Sequence, residues 1–154
     1  TLSKYEANYL MGKLKVKDIM KKTVITVKAN DAIETIAYLL YKNKIGAIPV
    51  IDENSKVCGI VSDTDVFKVL VDILGYAQNS TKITIDATDK VGVLAELADI
   101  FKKRGVNIIS IVTREMGGTT REILIRADLT NSMDIIEEIR DAGFNITDIS
   151  TLKV

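Results

Sequence analysis

The sequence predicts an α+β chain made of two small units in series. Three observations carry this reading. Short β-branched runs alternate with helical stripes along the whole chain. The elements read β-α-β-β-α as far as Leu74 and β-α-β-β-α-β from Lys82 onward. Between them Gly75 ends a helix, and residues 76–80 form a short polar connection where the seam is placed. The chain has 154 residues, 47% hydrophobic and 27% charged, enough apolar material for a packed core and no signature of disorder.

Residues 1–15 are expected to be a helical linker, with apolar residues at Leu2, Tyr5, Tyr9 and Leu10, and the two tyrosines are expected to pack on one face. A helix opening at Thr1, with no Met before it, reads as a linker cut from something longer. In the first unit, residues 16–75, Val24 to Val27 is a β-branched strand. Asn30 and Asp31 are N-cap candidates for a helix carrying Ile33, Ile36, Ala37 and Leu40. Ala47 to Ile51 is a strand, Asp52 to Ser55 a turn, and Val57 to Val61 an apolar strand expected to be buried. Val66, Val69, Leu70, Ile73 and Leu74 form the next helical stripe.

The second unit spans residues 81–154. Lys82 to Ala87 alternates as a strand, and Leu94, Leu97, Ala98 and Phe101 give a helical stripe closed by Arg104-Gly105. Asn107 to Thr113 and Thr120 to Leu129 are strands joined by a hairpin at Met116-Gly117-Gly118-Thr119. Ser132 caps a helix with Met133, Ile136 and Ile139 that stops at Gly143, and Asn145 to Lys153 is the last strand. The order β-α-β-β-α-β is the ferredoxin-like arrangement, which does not dictate function.

Composition narrows the function classes. The chain has no histidine, so neither a Ser-His-Asp triad nor a Cys-His pair can be built, and the commonest general acid/base is missing. One cysteine, Cys58, excludes an internal disulfide and a Cys/His zinc site, and its apolar strand makes it an expected inert buried thiol. Zero formal net charge and no basic stripe argue against nucleic acid. No apolar run approaches a membrane span, and no signal peptide is visible, so a cytoplasmic, non-catalytic protein without a cofactor is expected. Lys13 to Lys17 and Phe101 to Arg104 are short basic runs that read as solvated faces, as does Glu137-Glu138.

Two clusters remain as candidate sites. In the first, Ser62 ends a strand and Asp65 sits in the first turn of the next helix. A hydroxyl and a carboxylate at that spacing can hydrogen-bond a diol such as ribose, and the same spacing is also that of a simple capping box. Gly46 lets a flat ring approach the backbone, and Pro49 stiffens a strand edge. In the second, Asp86 to Leu94 runs from a strand through Gly92 into a helix whose first N–H groups suit a carboxylate. There too Asp89 reads equally as an N-cap and Gly92 as close packing. Asn107 opens the next strand with a donor and an acceptor.

Residues 16–74 resemble a CBS motif, through Val16-Lys17-Asp18-Ile19-Met20, Ile45-Gly46-Ala47-Ile48-Pro49-Val50 and Gly59-Ile60-Val61-Ser62-Asp63-Thr64-Asp65. The resemblance implies an adenine nucleotide, of the AMP or ATP type, with Ser62 and Asp65 on the ribose and Val24, Ile25, Gly46 and Ala47 flanking the base. Residues 81–154 resemble an ACT domain, through Asp89-Lys90-Val91-Gly92-Val93-Leu94 and Arg104-Gly105-Val106-Asn107-Ile108. This implies an amino acid held where the loop of Asp89, Val91, Gly92, Val93 and Leu94 meets Asn107 and Ile108 across a subunit interface. Val91 stands where many relatives have Pro, and Asp89 where an amide is frequent. An acid there repels a ligand carboxylate and suits an amino group instead. The order is similar to that of the acetoin-utilisation AcuB-type family, with the first of its two CBS motifs missing. A homodimer acting on a regulated enzyme partner is the implied setting. The alternatives are a structural or protein-interaction module with vestigial sites, or the regulatory tail of a larger enzyme.

Overall fold

The computed structural model describes residues 4–76 and 79–152; residues 1–3, part of the connection at 77–78, and residues 153–154, which include the last position of the expected final strand, lie outside the described residues. The chain divides into two compact units, residues 1–66 and 67–154, and the division falls inside a helix.

The first unit begins with helices α1 (Lys4–Lys13) and α2 (Val16–Ile19). Tyr5 and Tyr9 are exposed rather than packed, and Lys13 Nζ lies 4.3 Å from the Tyr9 ring centre. The expected strand at Val24–Val27 is displaced. β1 is Val27–Lys28, because only these residues pair in parallel with Val50 and Ile51. Asp31 does not cap the next helix forward; its carboxylate accepts the Lys28 N–H at 2.8 Å, and the helix, α3 (Ile33–Asn43), starts from Ala32. Ile36 and Leu40 are buried from α3 as its stripe requires.

β2 (Ala47–Ile51) and β3 (Val57–Ser62) form an antiparallel pair, and the sheet order is β1-β2-β3. Asp52 accepts the N–H groups of Asn54 and Lys56 and so closes the turn between them. Pro49 lies in the central strand and not at an edge; it is tolerated because the β1 ladder reaches only Val50 and Ile51. β3 is not buried: Val57 and Ile60 are each 70% exposed, and Cys58 is exposed with its thiol donating to the Val50 carbonyl. Among the described residues β3 is an outer strand of its sheet, which explains this, whatever its apolar content. The core of this unit is Val27, Ile36, Leu40 and Ile48, with Ile25, Ile45, Val61 and Val66 packed against it.

Helix α4 (Asp63–Ile73) follows directly on β3. Its stripe stays partly open, with Leu70 and Ile73 exposed. Gly75 ends it at φ +65°, where the Tyr76 N–H returns to the Val71 carbonyl.

The second unit has β4 (Ser80–Thr88), α5 (Val93–Lys103), β5 (Ile108–Gly117), β6 (Thr120–Ala127), α6 (Ile135–Asp141) and β7 (Asn145–Leu152). The sheet order β5-β6-β4-β7, antiparallel at every pairing, is the ferredoxin-like order. Ile83 and Ile85 of β4 pair with Ile125 and Ile123 of β6 and turn one face of the sheet onto α5 and α6. Both glycines of the hairpin take positive φ. The buried stripe of α5 is Val93, Leu97, Ile100 and Phe101; Leu94 is exposed and Ala98 lies outside the core. Ser132 offers no side-chain cap to α6, which starts from Asp134, and Met133 is exposed ahead of it. No described helix is long and apolar enough to cross a membrane.

Candidate functional site

The first candidate site is set by the β2–β3 ladder. Ala47 pairs with Ser62, and the Asp63 N–H donates to the Gly46 carbonyl at 3.0 Å. This fixes Gly46 and Ala47 beside the start of α4. There the Ser62 hydroxyl donates to Asp65 Oδ2 at 2.6 Å and the Ser62 N–H donates to the same oxygen at 2.8 Å. The Asp65 N–H donates back to Ser62 Oγ at 3.3 Å. The two side chains form a reciprocal cap, as their spacing allows.

Gly46 is informative by what it does not need. Its φ lies outside the left-handed region, and a Cβ built on it would meet Asp63 Oδ2 at 3.7 Å, an ordinary contact. Nothing in the local packing demands glycine there. Val24 and Ile25 precede β1 instead of lying within it; Ile25 packs on the first core, Val24 is exposed, and Pro49 pairs with Ile60 further along the ladder.

The second candidate site is the β4–α5 loop. The Asp89 N–H donates to the Thr119 carbonyl at 2.7 Å, which ties the loop to the hairpin. Gly92 takes φ +94° as the residue before α5, and Val91 is fully exposed. A cavity of about 240 Å³ lies here, lined by Asp89, Gly92, Val93, Leu94, Thr113 and Arg121 among others.

Arg121 escaped the sequence reading. Its Nε and Nη2 donate to the two oxygens of Asp89, each at 2.9 Å, and its Nη1 donates to Thr113 Oγ1 at 3.2 Å. The fork geometry of guanidinium matches a carboxylate. The hydrogen bond from Arg121 holds the Asp89 carboxyl below its ordinary value. Asp89 is therefore held in an ion pair with Arg121 within the chain. The signal that could have found Arg121 is register, since it stands opposite Ala87 on β4, two residues before Asp89.

Asn107 is elsewhere. It lines a different cavity, of about 450 Å³, with Gly105, Ile109, Asp128 and Ser132, while Ile108 opens β5. Within one chain these two residues do not meet the Asp89 loop.

Comparison with known proteins agrees with the two-unit architecture. Residues 16–72 match the family model of the CBS domain and residues 81–140 that of the ACT domain, so the chain carries one of each. The uncharacterized protein MJ1225 of Methanocaldococcus jannaschii is 44% identical over 55 residues, which are 36% of this chain and 20% of that protein. Its crystal structure aligns over 44% of this chain and 27% of its own, at 35% identity and a TM-score of 0.37. The uncharacterized protein MJ1426 of the same organism is 43% identical over 56 residues, 36% of this chain and 33% of that protein. Its L-aspartate semialdehyde sulfurtransferase is 29% identical over 114 residues, 72% of this chain and 22% of the enzyme. The chain spans between about a fifth and a third of the length of these relatives.

Proposed function

We propose that this chain is a regulatory ligand sensor. The CBS unit takes an adenine nucleotide of the AMP or ATP type, and the ACT unit takes an amino acid. Binding is read out through the geometry of a homodimer. The observation that carries the nucleotide half is Gly46: a glycine the fold does not need, set beside a hydroxyl and a carboxylate at a helix start. Ser62 and Asp65 would give up part of their mutual cap to the ribose hydroxyls, and the missing side chain at Gly46 would admit the base. Signalling needs each ligand to differ in binding free energy between two arrangements of the assembly. Exposed Val57 and Ile60 on the outer strand of a unit with a small core favour self-association.

A thermal-shift screen of AMP, ADP, ATP and the standard amino acids tests this. A ligand at one hundred times its Kd adds about 2.7 kcal/mol to stability, which raises the midpoint by several degrees. Gly46→Ala should leave the unliganded midpoint unchanged or slightly higher and abolish the nucleotide shift. A full nucleotide shift in Gly46→Ala removes the base-binding assignment.

A second reading has its own support. The Ser62–Asp65 cap is closed on itself, as a purely structural role requires. Ser62→Ala would then cost about 1 kcal/mol and change no ligand response. The sulfurtransferase relative, matched over 22% of its length, also fits a chain that acts as the regulatory portion of a larger enzyme.

A further inference from the structure

A cavity of about 620 Å³ lies at the end of the second sheet where β4 begins and β6 and β7 stop. Ser80 and Thr81 line it, and they are two of the three buried polar residues among those described. Leu129, Met133 and Leu152 supply apolar surface beside them. We propose that this cavity binds a small primary ammonium ion on a short aliphatic chain, with Asp128 taking the charge and neighbouring threonine hydroxyls the remaining N–H groups. The inference goes beyond the two ligands proposed above. It asks for no carboxylate on the ligand, and no residue of the β4–α5 loop lines the cavity.

Charge selects the ligand class. Among the described residues Asp128 is the one charged side chain on the lining. Thr130 donates its N–H, at 3.1 Å, and its hydroxyl, at 2.6 Å, to Asp128 Oδ1. Both bonds fall on one oxygen and leave Oδ2 for a ligand. They hold the Asp128 carboxyl below its ordinary value, and no cation among the described residues shares in that shift. An anion would therefore meet a carboxylate with no Lys or Arg on the lining to offset it. An ammonium gains a charge-assisted hydrogen bond instead. Arg126 reaches this end of the sheet but is engaged, with Nη1 donating to Ser80 Oγ at 3.1 Å and the guanidinium 5.4 Å from the Tyr76 ring centre. The other two N–H groups of an ammonium need acceptors. The Thr81 and Thr151 hydroxyls lie 3.3 Å apart and share one hydrogen bond. Each hydroxyl has two acceptor sites, so the pair keeps lone pairs for a ligand. The volume falls within the roughly 300–1,000 Å³ of small-molecule sites, which combine apolar surface with a few convergent polar groups.

NMR titration of the full chain, read at its backbone amides, decides the matter. Three four-carbon probes that differ only at the head are compared: n-butylamine, 1-butanol and butyrate. Butylamine should shift the amides of Thr81, Asp128, Thr130 and Thr151 and bind about tenfold more tightly than 1-butanol, the usual scale of a charge-assisted hydrogen bond. Butyrate should leave those amides unmoved. Asp128→Asn keeps the oxygen that Thr130 uses, and it should lose the preference for the amine while binding 1-butanol as the wild type does. Met133→Lys, at an exposed position on the lining, should weaken butylamine relative to 1-butanol by setting a like charge beside it. Equal binding of butylamine and 1-butanol, saturable binding of butyrate, shifts confined to other parts of the chain, or a preference that survives Asp128→Asn overturns the assignment. If Asp128→Asn does not fold, Met133→Lys carries the test, since an unchanged preference there overturns it as well. The nucleotide and amino-acid readings stand or fall separately.

Discussion

At the scale of single residues, the Asp89–Arg121 pair has a consequence for stability. The hydrogen bond from Arg121 lowers the folded-state pKa of Asp89 below its ordinary 3.8. A carboxyl with a depressed folded pKa contributes stability that is complete above its unfolded value and is lost as pH falls through the folded one. The stability difference between wild type and Asp89→Asn should therefore be constant above about pH 5 and collapse below 3.8. Chemical denaturation at stepped pH measures it, and a difference that does not begin to fall as pH is lowered past 3.8 would refute the pair's role. Glu138, lowered by its hydrogen bond from Arg104, contributes with the same sign on the acid limb. What was legible here follows from sequence distance. Ser62 and Asp65 lie three apart, so their contact could be read from spacing alone. Asp89 and Arg121 lie 32 apart and meet only because β4 and β6 pair in one particular register. Local periodicity carries no information about that register.

At the scale of elements, periodicity located nearly every helix and strand but not always its buried side. In α5 the sequence favoured Leu94 and Ala98, whereas Val93 and Ile100 fill the core. Both stripes have helical spacing. The choice between them is made by the helix starting right after Gly92, which sets its rotation on the sheet. In β3 the apolar run was legible and its exposure was not, because burial depends on what covers an outer strand. The end of α4 gives a sharper test. Gly75 and Gly105 share φ +65°, but a Cβ on Gly75 would stand 2.4 Å from Ile109 Cγ2, and one on Gly105 would meet nothing within 4 Å. Gly105→Ala should cost about 1–2 kcal/mol, the left-handed penalty alone. Gly75→Ala should cost more, and Ile109→Ala should recover part of the excess in the double variant. Equal costs at the two glycines, measured by denaturant unfolding, would show that the α4 terminus does not pack on β5 as described. The Ser110 hydroxyl, which donates to the Leu74 carbonyl at 2.9 Å, belongs to the same contact.

At the scale of the whole molecule, the two units are stabilised very unequally. Among the described residues the second unit buries Ile83, Ile85, Leu97, Phe101, Ile123, Ile125, Ile135 and Ile139 and several more in one cluster drawn from both helices and the sheet. Among the described residues the first unit has only Val27, Ile36, Leu40 and Ile48 in its buried cluster and leaves an apolar outer strand exposed. Burial of apolar surface is the main term opposing chain entropy, so local opening free energy should follow core size. Native-state hydrogen exchange should find the amides of β2 and β3 opening well before those of β4 and β6. This difference also bears on how a sensor could work. A ligand that binds only the folded form stabilises that form by mass action, and the effect is largest where folding is least secure. An adenine nucleotide should therefore slow exchange in β2, β3 and the start of α4, while an amino acid should act on the β4–α5 loop and the β5–β6 hairpin. If nucleotide instead protects β4 and β6 and leaves β2 and β3 unchanged, the site at Gly46, Ser62 and Asp65 is wrongly placed. If the first unit already exchanges as slowly as the second without ligand, its small core is being covered by a second copy. Dilution should then accelerate exchange at Val57 and Ile60 first.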